Sequence, residues 1–343
     1  MLKKLLAVAI VIALGFSAFS VKAADTLPAQ YTDAEFWKIV NDFSEPGGTF
    51  QYENFVSNEV SYMDILPDLT RVVKTGGAYL GVAPEQNFTY IAAIKPKVSF
   101  ILDIRRQNLV ELLIYKALFE MSADRVEFIS RLFSRQKPTG IAANSSAEVI
   151  FKAFDQTKSD PDLYKQTLQA IRDRLKQRGF KPVGDDDEKI DYIFNVFLRG
   201  GPRMDYTYAS ATPNNGLPSY YNLMVATDGR GKNWAYLDTE DRYQYIRQLQ
   251  QKNLIVPLVA DFGGKKTIQE IGKYLKQHGS MVSVFYLSNV EEYIEGSWDQ
   301  FRANVAALPT DDSTLLIRFI PRANTVLARI PDLPPRWPGI YWH

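Results

Sequence analysis

The chain has 343 residues, a formal charge of +1, no cysteine and two histidines, His278 and His343. Without cysteine there are no disulfides, thiol nucleophiles or thiolate metal sites, and two histidines leave almost no room for a catalytic triad or a zinc centre, so no metal site is expected. Balanced charge with no basic block excludes nucleic acid as an expected partner.

Residues 1–23 place Lys3 and Lys4 ahead of an apolar run and close on the small residues Val21 and Ala23. This pattern reads as a signal peptide cleaved before Ala24. The apolar run is shorter than the roughly 20 residues of a spanning helix, which counts against a retained anchor, and no cysteine stands at the junction to take a lipid. The expected product is exported, periplasmic or extracellular, with no membrane span after cleavage. Loss of Lys3, Lys4 and Lys22 leaves 320 residues with a formal charge of −2.

Residues 24–76 read as an N-terminal helical or lid segment. In TDAEFWKIVNDFS a threonine cap precedes Phe36, Ile39, Val40 and Phe43 at helical spacing, and EPGG ends the helix. From residue 77 strands and helices alternate: GGAYLGVA as a strand, NFTYIAAI as a helix, KVSFILDI as a buried strand, NLVELLIYKALFEM as a long helix. Residues 124–198 are helical throughout and form an inserted subdomain; the clearest helix has Asp160 as cap, Pro161 in its first turn and Gly179 as its stop. Asp185, Asp186 and Asp187 read as a solvated helix start rather than a metal cluster.

Residues 199–219 are too rich in Gly, Pro and Asn for regular structure and read as a long loop, functional or mobile. Its tyrosines Tyr206, Tyr208, Tyr220 and Tyr221 suit stacking on a flat ligand or amphipathic packing. Alternation then resumes with NLMVATD as a strand, TEDRYQYIRQLQQKN as a helix, LIVPLVAD as a strand containing Pro257, TIQEIGKYLKQHG as a helix, SMVSVFYLSN as a strand and STLLIRFI as the last strand. His278 ends a predicted helix, where an imidazole meets the negative end of the dipole. The terminal LPPRWPGIYWH is rigid and aromatic, and is expected to lie on the body of the protein or on a partner.

Strands joined through helices need crossover connections, so the expected fold is a doubly wound, mainly parallel α/β sheet of Rossmann-like type over residues 77–343, with the helical insert. Such sheets bind ligands beyond the carboxyl ends of their strands. Four turns qualify: GVAPEQN, DIRRQN, DFGGKKT and LSNVEE. Gly81 and Asp103 lie 22 positions apart, close to the dinucleotide-loop-to-acid spacing, but Ala83 and Glu85 stand where further glycines belong, and Glu85 opposes a pyrophosphate. NAD and FAD are therefore disfavoured. DFGGKKT offers an anion site at a helix start, and Arg105 and Arg106 are placed either to pair with ligand or to bridge nearby acids.

AYLGVAPEQNFTYIAAIKPKVSFILDIRRQN and VPLVADFGGKKTIQEIGKYLKQHGSMVSVFYLSNVEEYI together resemble the core of class I S-adenosylmethionine-dependent methyltransferases, and more closely a bacterial methyltransferase-like group. The likeness spans most of residues 77–320. It implies Gly81 as the loop glycine, Asp103 as the acid addressing the ribose, and Asp261 as a cofactor or acceptor position. Of the family's acid and three alternating glycines, this chain has Tyr79, Gly81, Ala83 and Glu85, so one glycine remains.

Two functions follow as expectations. The first is an exported binding protein, or an enzyme of unknown reaction, holding a small polar ligand in a cleft formed by Gly81, Glu85, Asn87, Asp103, Asp261 and Asn289, with no cofactor established. The second is an active methyltransferase using S-adenosylmethionine, in which Asp103 binds the ribose and Asp261 or Asn289 positions the acceptor.

Overall fold

The computed structural model describes residues 25–142, 144–209, 216–320 and 324–338. The expected signal peptide and His343 lie outside the described residues. In chain order the elements are α1 (Asp33–Phe43), α2 (Leu66–Val72), β1 (Ala78–Val82), α3 (Gln86–Ile94), β2 (Val98–Asp103), α4 (Arg106–Met121), α5 (Arg125–Leu132), α6 (Ala147–Gln156), α7 (Pro161–Gln177), α8 (Asp186–Gly200), α9 (Tyr220–Val225), α10 (Glu240–Gln251), β3 (Ile255–Val259), α11 (Thr267–Gln277), β4 (Val282–Ser288), α12 (Trp298–Ala307), β5 (Leu315–Ile320) and β6 (Asn324–Ala328).

The strands form one six-stranded sheet in the order β3-β2-β1-β4-β5-β6. All neighbours are parallel except β5 and β6, so the fold is α/β with a mixed, mostly parallel sheet. β1, β2 and β3 are almost wholly buried, which explains their continuous apolar runs: a parallel strand covered on both faces has no polar side to alternate with. The chain winds outward from β1 through β2 to β3, then returns to place β4 on the other side of β1. The carboxyl ends of β1 and β4 thus flank the point where the strand order reverses.

Local signals set most boundaries. Thr32 and Glu35 form a reciprocal capping box at α1, and Asp160 accepts the amides of Asp162 and Leu163 at α7. Pro257 lies on β3, the edge strand, where a missing ladder donor costs least. Beyond that edge, Glu45 N donates to the Val259 carbonyl at 2.9 Å and Val259 N to Ser44 Oγ at 3.1 Å, so the segment after α1 covers it.

Four expectations need correction. NLMVATD is not a strand: most of it lies in α9, because Ser219 and Asn222 form a capping box that selects helix for a short apolar run compatible with either state. The loop expected at 199–219 begins later, since α8 runs to Gly200 and a 3₁₀ turn covers Gly201–Arg203. β5 is not the last strand, because β6 pairs antiparallel with it. Asp186 is not a solvated helix start. It is fully buried and pairs through both oxygens with Arg106 at 2.7 Å.

α4 packs on α5, α7, α8 and α10 and also against β2 and β3, so the helical insert and the sheet share one apolar core. The C-terminal segment lies on the body as far as it is described: Trp337 Nε1 donates to the Glu291 carbonyl at 2.8 Å. Among the described residues no helix is long and apolar enough to cross a membrane.

Candidate functional site

A cleft of about 1000 Å³ opens at the carboxyl ends of the central strands. Val82, Ala83 and Pro84 line it from the end of β1, Asp103 and Ile104 from β2, Asp261 and Phe262 from β3, and Ser288 and Asn289 from β4. Asp103 and Asp261, 158 positions apart in sequence, therefore meet one crevice. The register explains this: Asp103 pairs with Val259 across β2 and β3, and the Ala260 amide donates to the Asp103 carbonyl at 2.8 Å.

The front wall is the segment between α1 and the 3₁₀ turn at Val60–Met63, strapped across the strand ends. Gly48 N donates to the Ile104 carbonyl at 2.8 Å, and a Cβ on Gly48 would come within 2.7 Å of Ile104 Cγ1, so any larger residue at this crossing would have to displace the Ile104 side chain. Arg105 then holds the strap by donating to the carbonyls of Tyr52 and Glu53. The far wall after β4 is braced by a buried pair, Arg318 to Glu291, with two bonds of 2.6 Å.

Of the six residues expected at the site, Asp103, Asp261 and Asn289 reach the cleft, but Gly81, Glu85 and Asn87 do not. Asn87 is buried behind the turn, donating Nδ2 to the carbonyls of Val82, Ala83 and Pro84 while Oδ1 accepts from Tyr79 at 2.7 Å. It closes the turn from inside. Gly81 makes room for that contact: an added Cβ would lie 1.9 Å from Asn87 Oδ1 and 2.6 Å from the Tyr79 hydroxyl. Glu85 is entirely buried, and burial pushes its carboxyl up to about 8. Gly81 and Asn87 are thus spent on the packing of the turn, and Glu85 is buried with, among the described residues, no side chain hydrogen-bonded to either carboxyl oxygen.

Asp103 reaches the cleft already engaged. Arg105 binds it through Nη2 to Oδ2 at 2.7 Å and Nε to Oδ1 at 3.0 Å, and the Arg105 amide adds a third bond to Oδ1 at 2.8 Å. Arg106 is taken by Asp186, so both arginines of DIRRQN bridge internal acids. The DFGGKKT turn is also filled from within. Glu45 Oε2 accepts the Asp261 amide and Oε1 accepts the Lys266 amide, each at 3.0 Å, and a Cβ on Gly264 would strike the same carboxylate at 2.3 Å. The anion at the start of α11 belongs to this chain.

A family model described as Domain of unknown function (DUF7790) matches residues 54–332. The chain belongs to the DUF7790 family. No curated protein matches it. The matched span of this DUF7790 chain takes in all six strands and most of the cleft, and begins within the strap at Asn54.

The cleft's most distinctive group is Glu59, which the sequence did not single out. It is buried and accepts from Tyr286 at 2.7 Å, Ser288 at 2.5 Å, and Gln86 and Thr325 at 3.3 Å each. Burial raises its pKa above the ordinary carboxyl value, and the four donors offset only part of that rise. Ser57 orients Gln86 by donating to Oε1. The only hint in sequence is the polar interruption Ser57-Asn58-Glu59 between Val56 and Val60. Aromatic rings edge the opening: Phe50 lies 4.9 Å from Tyr293, and Tyr52 lies 5.4 Å from Tyr206. Of the four loop tyrosines, Tyr206 lines the cleft, Tyr220 is in the core, and Tyr208 is exposed. No Lys or Arg is among the described residues lining the cleft, whereas Glu59, Asp103, Asp261 and Glu292 are.

Proposed function

We propose that this DUF7790 chain is an exported protein that binds a small polar ligand in the cleft at the carboxyl ends of β1 to β4, on a doubly wound, Rossmann-like sheet. The observation that carries the reading is the position and shape of one cavity. At about 1000 Å³ it is of ligand size, and it lies where the strand order reverses, the usual place for a ligand in such a sheet. Aromatic edges and convergent polar groups give it area and specificity.

Methyl transfer is the second reading, favoured by the resemblance in sequence and by acidic surroundings that suit a sulfonium charge. The residues fit adenosylmethionine poorly. Arg105 already supplies three donors to Asp103 and neutralises its charge, leaving about one lone pair for the two ribose hydroxyls, and Gly81 faces Asn87 rather than the cleft. No step is assigned through that cofactor.

Thermal-shift and calorimetric titration of the purified protein with nucleosides, sugars, amino acids, amines and adenosylmethionine tests both readings. Binding of a polar ligand that Asp261→Ala and Asn289→Ala weaken, each at a stability cost of about 1 kcal/mol or less, is the expected result. A panel in which nothing binds counts against the first reading, and silence from adenosylmethionine removes the second.

A further inference from the structure

Glu59 is a buried carboxyl group with no cationic side chain paired to it among the described residues. Its hydrogen-bond partners are an amide and three hydroxyls, all neutral, and among the described residues it forms no ion pair. Neutral donors stabilise a carboxylate without removing its field, and the field of a buried group reaches further than that of an exposed one. A carboxylate offers about four lone-pair directions. The four donors use them, so an incoming group meets negative charge with no acceptor left to bond. That environment favours a cation held by its field over one held by N–H bonds.

Two independent features point the same way. Asn54 is 8 % exposed, lines the same cleft, and its Oδ1 has no partner. It stands at φ 30°, in the left-handed region that asparagine adopts more readily than most side chains. A buried acceptor without a donor is expensive, and a ligand carrying one hydroxyl or amide N–H satisfies it. The rings of Phe50, Tyr52, Tyr206 and Tyr293 supply the aromatic faces that attract alkylated cations.

We infer that the cleft takes an organic cation, a quaternary ammonium that also bears a hydrogen-bond donor, with Glu59 as its counter-charge and Asn54 Oδ1 as its acceptor. The inference rests on the cleft being a binding site, as proposed above. Phosphorylated and carboxylate ligands are repelled by Asp261 and Glu292 as well as by Glu59.

The test compares choline with 3,3-dimethylbutan-1-ol, which has the same shape and hydroxyl but carbon in place of the charged nitrogen, by ligand-observed NMR titration of the purified protein. Choline is expected to bind at least about tenfold more tightly than the alcohol. Glu59→Gln brings that ratio to about one, whereas Asn54→Ala weakens both probes by a similar factor and preserves the ratio. Equal affinity of the two probes for the unaltered protein overturns the inference, as does a ratio that survives Glu59→Gln, and the first comparison holds even if that variant does not fold. Glucose or sucrose binding where choline does not also overturns it, while leaving the cleft's function as a binding site intact. Failure of every probe, charged and neutral, sinks the inference and counts against the function on which it rests.

Discussion

Arg105 grips Asp103 with both arms of its guanidinium, at 2.7 and 3.0 Å, and both side chains are nearly closed off from solvent. The same guanidinium holds the strap through the carbonyls of Tyr52 and Glu53, so the pair joins the end of β2 to the front wall of the cleft. Removing one partner of a buried pair strands the other. Asp103→Ala is expected to cost about 3–5 kcal/mol, measured by urea denaturation. A fully stable variant with lost ligand binding would instead return Asp103 to a direct binding role.

Glu45 does for the start of α11 what a bound anion does elsewhere. Glu45→Ala leaves the amides of Asp261 and Lys266 without their acceptor and costs about 1–2 kcal/mol. The vacated turn, with Lys266 beside it, then takes an external anion. Sulfate is expected to raise the Tm of the variant more than that of the unaltered protein, and equal shifts in the two would refute the role given to Glu45.

Burial holds the Glu85 carboxyl at about 8, with Glu111, Tyr62, Tyr115, Tyr220 and Tyr236 as its titratable neighbours. The unfolded chain releases this proton near pH 4.5, whereas the folded chain keeps it until about 8. Between those values the native state binds the extra proton, so this group's contribution to stability is full at low pH and falls as pH rises, by about 1.4 kcal/mol per unit. Glu85→Gln mimics the protonated form. Denaturation curves from pH 5 to 8 should show a shallower decline for the variant and greater stability than the unaltered protein at pH 8; parallel declines would mean that Glu85 is ionised throughout.

The turn after β1 carries its strain at Ala83, which has φ 36°. Glycine adopts that conformation freely, so Ala83→Gly is expected to stabilise the fold by up to about 1 kcal/mol. Gly81→Ala has the opposite effect, because its Cβ enters the space of Asn87 and Tyr79 and costs about 1–3 kcal/mol. Thermal denaturation of the two variants checks both signs.

Much of the architecture was legible without coordinates. Five of the six strands, β1 to β5, follow from apolar runs between breakers, and α1 and α7 from Thr32 and Asp160 as caps, since these signals act over a few residues. The placement of the cleft at the strand ends followed from the alternation alone, and Asp103, Asp261 and Asn289 were found through it. NLMVATD misled because a short apolar run suits strand and helix alike until a cap decides.

What local pattern settled was where strands and helices begin and end, and so which turns share one rim of the sheet. Which polar groups at that rim are free for a ligand was settled only by packing: Asp103 by Arg105, Asn87 by its own turn, and the α11 start by Glu45 from 216 or more positions away. Glu59 stayed hidden for the same reason. Its donors arrive from α3, β4 and β6, and a carboxylate's environment is the sum of contacts that no stretch of sequence contains.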